Sequence, residues 1–211
     1  KKDGTSYWET STIAPVQNDE GEVISYIAIK DDITARKEME AKLERLATTD
    51  SLTGTLNRHQ FKKIAKRELK RAARYRHPVS MIMLDIDSFK NINDQHGHTI
   101  GDLAIIEVAN ILKENLRDID YLGRYGGDEF IIILPETNQE EGIEIANRLR
   151  VKVENNKISN PKEIKLSVSI GLTTTPTENH IQETDFDTIV QRADRALYQA
   201  KEAGRNFVKS L

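Results

Sequence analysis

The chain has 211 residues, 37% of them apolar, with 31 Lys and Arg against 34 Asp and Glu for a formal net charge of -3. That length supports one full-sized core plus an appendage, and the charge balance gives no global attraction to nucleic acid or anionic lipid. There is no cysteine, which excludes disulfides and thiolate metal sites, and no apolar run approaches the roughly 20 residues of a membrane helix.

No secretory signal opens the chain, so a cytoplasmic setting is expected, with any membrane tether carried by segments before residue 1. Residues 7–16 and 22–29 alternate or run apolar as strands do, around a turn at Asn18-Asp19-Glu20-Gly21. A lone hairpin is marginal in water, so this piece reads as part of a larger sheet; a hairpin extension of the following domain is the plainer alternative. Residues 35–48 are helix-prone and charged, with Met39, Leu43 and Leu46 on one stripe that suits either a second copy or the chain's own domain. A long helix is expected over 58–75, a buried strand over 79–84 and helices through 116. Two strands around a glycine pair follow, then a helix over 139–154, a strand over 164–173 and a helix over 187–203. Strands and helices mixed in this order argue for an α/β sandwich with helices packed on one central sheet. The basic run 62–76 reads as a solvated helix, because the chain as a whole is acidic.

Chemistry concentrates where strands end. Arg124-Tyr125-Gly126-Gly127-Asp128-Glu129-Phe130 leads two glycines into two acids and a greasy strand. Paired glycines signal a tight turn in which φ > 0 is free and another molecule can approach the backbone. Asp128 and Glu129 then sit where a buried strand meets an open edge, a poor place for carboxylates without a cation or a proton-transfer role. Upstream, the 79–84 strand ends in Asp85-Ile86-Asp87. Two acidic strand ends brought together make an all-oxygen pocket suited to Mg²⁺ or Mn²⁺; taken singly, each pair reads as a helix cap or a solvated acid. His96 and His98 lack a third partner for zinc, so packing or hydrogen bonding fits them better. No GxxxxGK[ST] is present, which disfavours a P-loop NTPase.

Three motifs together resemble one family. Asp50-Ser51-Leu52-Thr53-Gly54-Thr55-Leu56-Asn57-Arg58 is similar to the opening signature of GGDEF domains, the diguanylate cyclases. Gly126 to Phe130 spells the family's name, and Ala193 to Asn206 resembles its closing signature. The resemblance runs from residue 49 to 211 and departs at Thr55, where a leucine is usual; a small packing change without chemical consequence is expected there. It implies a ferredoxin-like α+β core, a central antiparallel or mixed sheet flanked by helices, related to adenylyl cyclases and polymerase palms. Residues 1–33 resemble the C-terminal end of a PAS/PAC sensor, with Asp32-Ile33-Thr34 as its exit, and 34–48 a helical signalling linker.

The implied activity condenses two GTP into cyclic di-GMP and two pyrophosphates with Mg²⁺ (or Mn²⁺), in a homodimer. By the same resemblance, Asp85, Asp128, Glu129 and the Ile86 carbonyl hold metal, Asp128 accepts the proton, and Lys90 stabilises the transition state. Asn93 and Asp102 present the donors and acceptors that guanine's edge demands and that adenine would leave unpaired; Asp102 reads equally well as a helix N-cap. Phe89 and His98 complete the substrate site, and Lys201 and Arg205, one helical turn apart, resemble a triphosphate clamp. Arg117 and Asp120 match an RxxD product-inhibition site, with Arg148 as its secondary arginine. The rival readings are an inactive domain that binds GTP or cyclic di-GMP as a receptor, and another nucleotidyl transferase on the same fold. Neither a nucleic-acid polymer nor a membrane is an expected partner.

Overall fold

The computed structural model describes residues 6–159, 163–175 and 185–211, and the chain divides into two compact units, Lys1–Ala47 and Thr48–Leu211. In the first, β1 (Glu9–Gln17) and β2 (Val23–Asp32) form an antiparallel ribbon. Asn18 closes its turn, accepting through Oδ1 from the backbone N–H groups of Glu20 and Glu22 at 3.0 and 2.9 Å, and Gly21 supplies the positive φ of +83°. Asp32 Oδ1 accepts from the Thr34 N–H at 3.0 Å, which starts α1 (Thr34–Thr48). No residue of α1 is buried, and every residue of β2 is exposed.

The second unit is α2 (Arg58–Tyr75), β3 (Val79–Ile86), α3 (Phe89–His96), α4 (His98–Glu114), β4 (Tyr121–Arg124), β5 (Glu129–Pro135), α5 (Gln139–Glu154), β6 (Lys157–Ser159), β7 (Glu163–Lys165), β8 (Val168–Thr174), α6 (Phe186–Glu202) and β9 (Val208–Ser210). Five strands form one sheet in the order β4-β5-β3-β8-β9. Only β9 runs parallel to its neighbour, so the sheet is mixed, as the resemblance implied. β6 and β7 pair separately. The strand expected over 164–173 is thus two strands, interrupted where the Ser167 carbonyl accepts from the Asp87 N–H at 2.9 Å. The helices expected through residue 116 are two, α3 and α4, divided at Gly97, whose φ of +83° no helix continues.

Alternation along β3 explains why it lies at the centre. Ile82, Leu84 and Ile86 enter one core with Ile105 and Leu112 of α4 and Leu149 of α5. Met81 and Met83 enter the other with Phe61 and Leu69 of α2 and Ile189 and Leu197 of α6. Covered on both faces, all eight residues of β3 are buried. Each such side chain contributes roughly 1.5–3 kcal/mol on burial, so the end of β3 is a fixed platform. α6 lies so close to β8 that a Cβ on Gly171 would overlap the backbone of Ala193, Ala196 and Leu197.

Candidate active site

The β3–β5 ladder sets Asp85 opposite Glu129, and the Ile86 N–H donates to the Asp128 carbonyl at 3.3 Å. Asp85, Ile86, Asp128 and Glu129 therefore meet at one end of the two central strands. Asp85 is 8% exposed, and burial pushes its carboxyl up to about 6, helped by the charges of Asp128 and Glu129 and opposed by Lys201. Lys201 Nζ lies 2.8 Å from Asp85 Oδ2, so α6 delivers the cation that this end of the sheet needs. Among the described residues, no three His, Cys, Asp or Glu side chains converge into a metal-binding group. The donor chemistry nevertheless fits a hard divalent ion: oxygen atoms only, around a buried carboxylate whose ionisation another positive charge would favour.

The glycine turn differs from expectation. Neither Gly126 nor Gly127 has a positive φ. A Cβ on Gly126 would lie 2.5 Å from Glu129 Oε2, the free end of a side chain that can swing aside, and a Cβ on Gly127 would meet nothing within 4 Å. The turn is braced by Arg124, which donates from Nε and Nη2 to the Gly127 carbonyl at 3.0 and 2.6 Å and from Nη1 to Asp50 Oδ1 at 3.1 Å. Asp50 Oδ1 also accepts from the N–H and hydroxyl of Thr53 at 2.9 and 2.8 Å. Burial opposes the ionisation of Asp50, but Thr53 and Arg124 hold its carboxyl below the usual range. The opening signature is thereby a support for the acidic turn, a role the sequence reading did not give it. An arginine two residues before the glycines was the available signal; its partner 74 residues away was not. Thr55 is buried, and its hydroxyl pairs with that of Thr53 at 2.8 Å. Replacing Arg124 with Lys, which cannot fork between two acceptors, is expected to lower turnover at this site by about 10- to 100-fold with little change in ligand affinity; steady-state kinetics beside direct binding checks it.

A second group forms between α3 and α4. Asn93 Oδ1 is buried with no hydrogen-bond partner, and Gly101 admits it, because a Cβ there would overlap the Asn93 amide and lie 3.2 Å from the Phe89 ring. Asp102 and His98 are exposed on α4, and Lys90 is exposed in the first turn of α3. Ser88 enters α3 at φ +54° without capping it through its side chain. The Asp87 carboxylate is already engaged: Ser167, Ser169 and Asn206 all donate to it. Arg205 shares a cleft with Ser88 and Asn91.

The third group is separate. Asp120 Oδ2 accepts from the Arg117 N–H at 2.9 Å, while its Oδ1 is buried without a partner. Burial pushes the Asp120 carboxyl up, and the charges of Arg117 and Arg148 pull it down. Arg148 itself donates to the Asn115 carbonyl at 3.0 Å.

A mixed sheet whose two central strands end in acids at a glycine turn defines the class, a GGDEF-type α/β domain. The family model described as diguanylate cyclase, GGDEF domain, matches residues 47–207. The chain belongs to that family. It is 43% identical over 162 residues to diguanylate cyclase DosC of Escherichia coli K12, covering 76% of this chain and 34% of DosC. It is 40% identical over 176 residues to response regulator PleD of Caulobacter vibrioides, covering 82% of this chain and 38% of PleD. This chain therefore spans little more than a third of either relative. Its structure is similar, with a TM-score of 0.77 and 29% identity, to the coiled coil and GGDEF domain of DgcB from Caulobacter crescentus in complex with c-di-GMP, covering 85% of this chain and 93% of that one.

Proposed function

We propose that this chain is the catalytic part of a diguanylate cyclase, joining two GTP into cyclic di-GMP with release of two pyrophosphates. The carrying observation is the β3–β5 register, which puts Asp85 opposite Glu129 and Ile86 against Asp128 in a family member that retains both glycines and both acids. In each half-reaction a ribose 3′-oxygen attacks the α-phosphorus, the bond to the β-phosphate breaks, and the hydroxyl proton must be taken up. The carboxylates of Asp85, Asp128 and Glu129 and the Ile86 carbonyl would hold Mg²⁺ or Mn²⁺. When bound, the ion supplies acidification of the hydroxyl and neutralisation of the departing pyrophosphate.

The chain's own residues bind and orient. The unpaired Asn93 Oδ1 and the neighbouring Asp102 face the demand of a guanine edge, and a base lacking its N–H donors would leave Asn93 orphaned. Phe89 and His98 flank that position. Lys90, Lys201 and Arg205 carry the positive charge for the phosphates, and Asp128 takes the 3′ proton. In this reading Lys201 exchanges Asp85 for phosphate oxygen when nucleotide and metal arrive.

Cyclic di-GMP is two-fold symmetric, so each subunit of a homodimer would present one GTP. The stripe of Met39, Leu43 and Leu46, exposed along α1, supports that pairing. The exposed apolar side chains of the β1–β2 ribbon, Ile13, Ile24, Tyr26, Ile27 and Ile29, support its reading as the end of a PAS/PAC sheet. Asp120, with an unpaired buried acceptor and the charges of Arg117 and Arg148 beside it, supports product inhibition, since guanine N–H groups and phosphates match those partners. Among the described residues, no helix is long and apolar enough to cross a membrane.

Incubation of the chain with GTP and Mg²⁺, followed by chromatography of the products, tests the reading. Cyclic di-GMP is expected from the parent and almost none from Asp128→Ala, with Arg117→Ala relieving inhibition at high product. A parent that binds GTP without turnover would favour the receptor, and equal product from Asp128→Ala would remove that residue from the chemistry.

A further inference from the structure

Asp85 and Asp87 look equivalent in the sequence, and the structure separates them. Asp87 is 8% exposed, and three donors converge on its two oxygens: Ser169 Oγ on Oδ1 at 2.6 Å, Ser167 Oγ on Oδ2 at 2.8 Å, and the backbone N–H of Asn206 on Oδ2 at 2.9 Å. Asn206 belongs to an unusual stretch. Beyond α6 the chain takes three successive left-handed residues, Gly204, Arg205 and Asn206, with φ of +116°, +63° and +48°. Glycine adopts that conformation freely; Arg and Asn do so at a free-energy penalty and persist only where surrounding bonds over-determine them.

Those bonds are on both sides of Arg205. Its own N–H donates to the Ala200 carbonyl at 3.3 Å. The Asn206 side chain accepts from Arg150 Nη1 at 2.8 Å and donates to Glu154 Oε1 at 2.7 Å, and the next residue, Phe207, accepts from the Ile170 N–H at 2.9 Å as β9 begins. The Arg205 side chain itself is exposed, on a cleft of about 330 Å³ shared with Ser88, Asn91 and Lys165. Backbone restraint on one side and an open side chain on the other is the arrangement of a group aimed by its neighbours.

We propose that Asp87 is a positioning residue: its buried carboxylate fixes the left-handed turn at Asn206 and so aims the Arg205 guanidinium at the phosphates of the bound nucleotide. The inference rests on the reading of Arg205 as a phosphate ligand given above. A carboxylate accepts from all three at once, whereas an amide keeps one acceptor oxygen and its N–H₂ can meet a serine only if that hydroxyl turns from donor to acceptor.

The test is a double-mutant cycle on the whole chain, reading the affinity for guanosine 5′-(α,β-methylene)triphosphate with Mg²⁺ by calorimetry. Asp87→Asn and Arg205→Ala are each expected to weaken binding by about tenfold, and the double variant is expected to bind no worse than Arg205→Ala alone. Guanosine affinity stays at the parent's value in both, which a general loss of structure would not allow, and amide exchange at Asn206 accelerates in Asp87→Asn. Multiplying losses, or weakening by Arg205→Ala with none by Asp87→Asn, would overturn the positioning role. Parent-like binding by Arg205→Ala would instead remove the phosphate reading on which it stands. Should Asp87→Asn not fold, Ser169→Ala removes one donor and keeps the carboxylate; a loss of about two- to threefold is expected, again absent in the Arg205→Ala background. A loss that persists in that background refutes the proposal.

Discussion

Replacing Asp85 with Asn is expected to lower cyclic di-GMP formation by about a thousandfold or more and, at pH 7 without metal, to make the protein harder to unfold. The first effect follows from removing a carboxylate whose place in the site would be worth several kcal/mol at the transition state, about 1.4 kcal/mol per tenfold. The second follows from burial, which raises the folded-state carboxyl from its ordinary 3.8 to about 6. A raised acid binds its proton more tightly in the folded state than in the unfolded one. Its penalty is therefore absent below about pH 4, grows as pH rises, and is complete above about pH 6. The parent should gain stability on acidification from pH 7 toward pH 5, and Asp85→Asn should lack that gain while exceeding the parent at pH 7 by about 1–2 kcal/mol, after allowance for the Lys201 pair and solvent screening. Urea midpoints at pH 5, 6 and 7 in chelator measure it; parallel pH profiles for the two proteins would contradict it.

Gly171→Ala is the substitution expected to damage the fold most. A Cβ there would overlap the backbone of Ala193, Ala196 and Leu197 in α6, and backbone cannot turn aside as a side chain can. The loss should reach about 3 kcal/mol or more, at the top of the range for overpacked cores and equivalent to a fall of about 10 °C in Tm. Because α6 also carries Lys201 to Asp85, GTP binding should weaken in whatever fraction stays folded. Gly127→Ala is the matched control: with nothing within 4 Å of its Cβ and no positive φ, it should melt within about 1 °C of the parent. Thermal unfolding of both variants decides the matter, and equal Tm values would refute the close packing of α6 on β8.

What could be read in advance was local. The apolar run before Asp85, the acids after Gly127 and the helix over 58–75 each carry their signal within a few residues, so β3, β5 and α2 were legible along with the acidic site. Signals that depend on distant partners were not. Asp87 has the same sequence setting as Asp85 and differs because Ser167, Ser169 and the Asn206 N–H reach it from distant parts of the chain, whereas Lys201 reaches Asp85. Arg124 pairs with Asp50 across 74 residues. The glycine pair suggested a left-handed turn, yet neither glycine has a positive φ, a Cβ at 126 would meet only the movable end of Glu129, and one at 127 would meet nothing.

That last point separates upkeep from chemistry. The residues that would touch substrate at the turn contribute little to cohesion, and the buried acid beside them subtracts from it. If the proposed reading holds, a descendant could thus surrender synthesis through a single change at the turn and still fold, leaving the surfaces around Asn93 and Arg117 intact for a second career as a sensor of the same nucleotides.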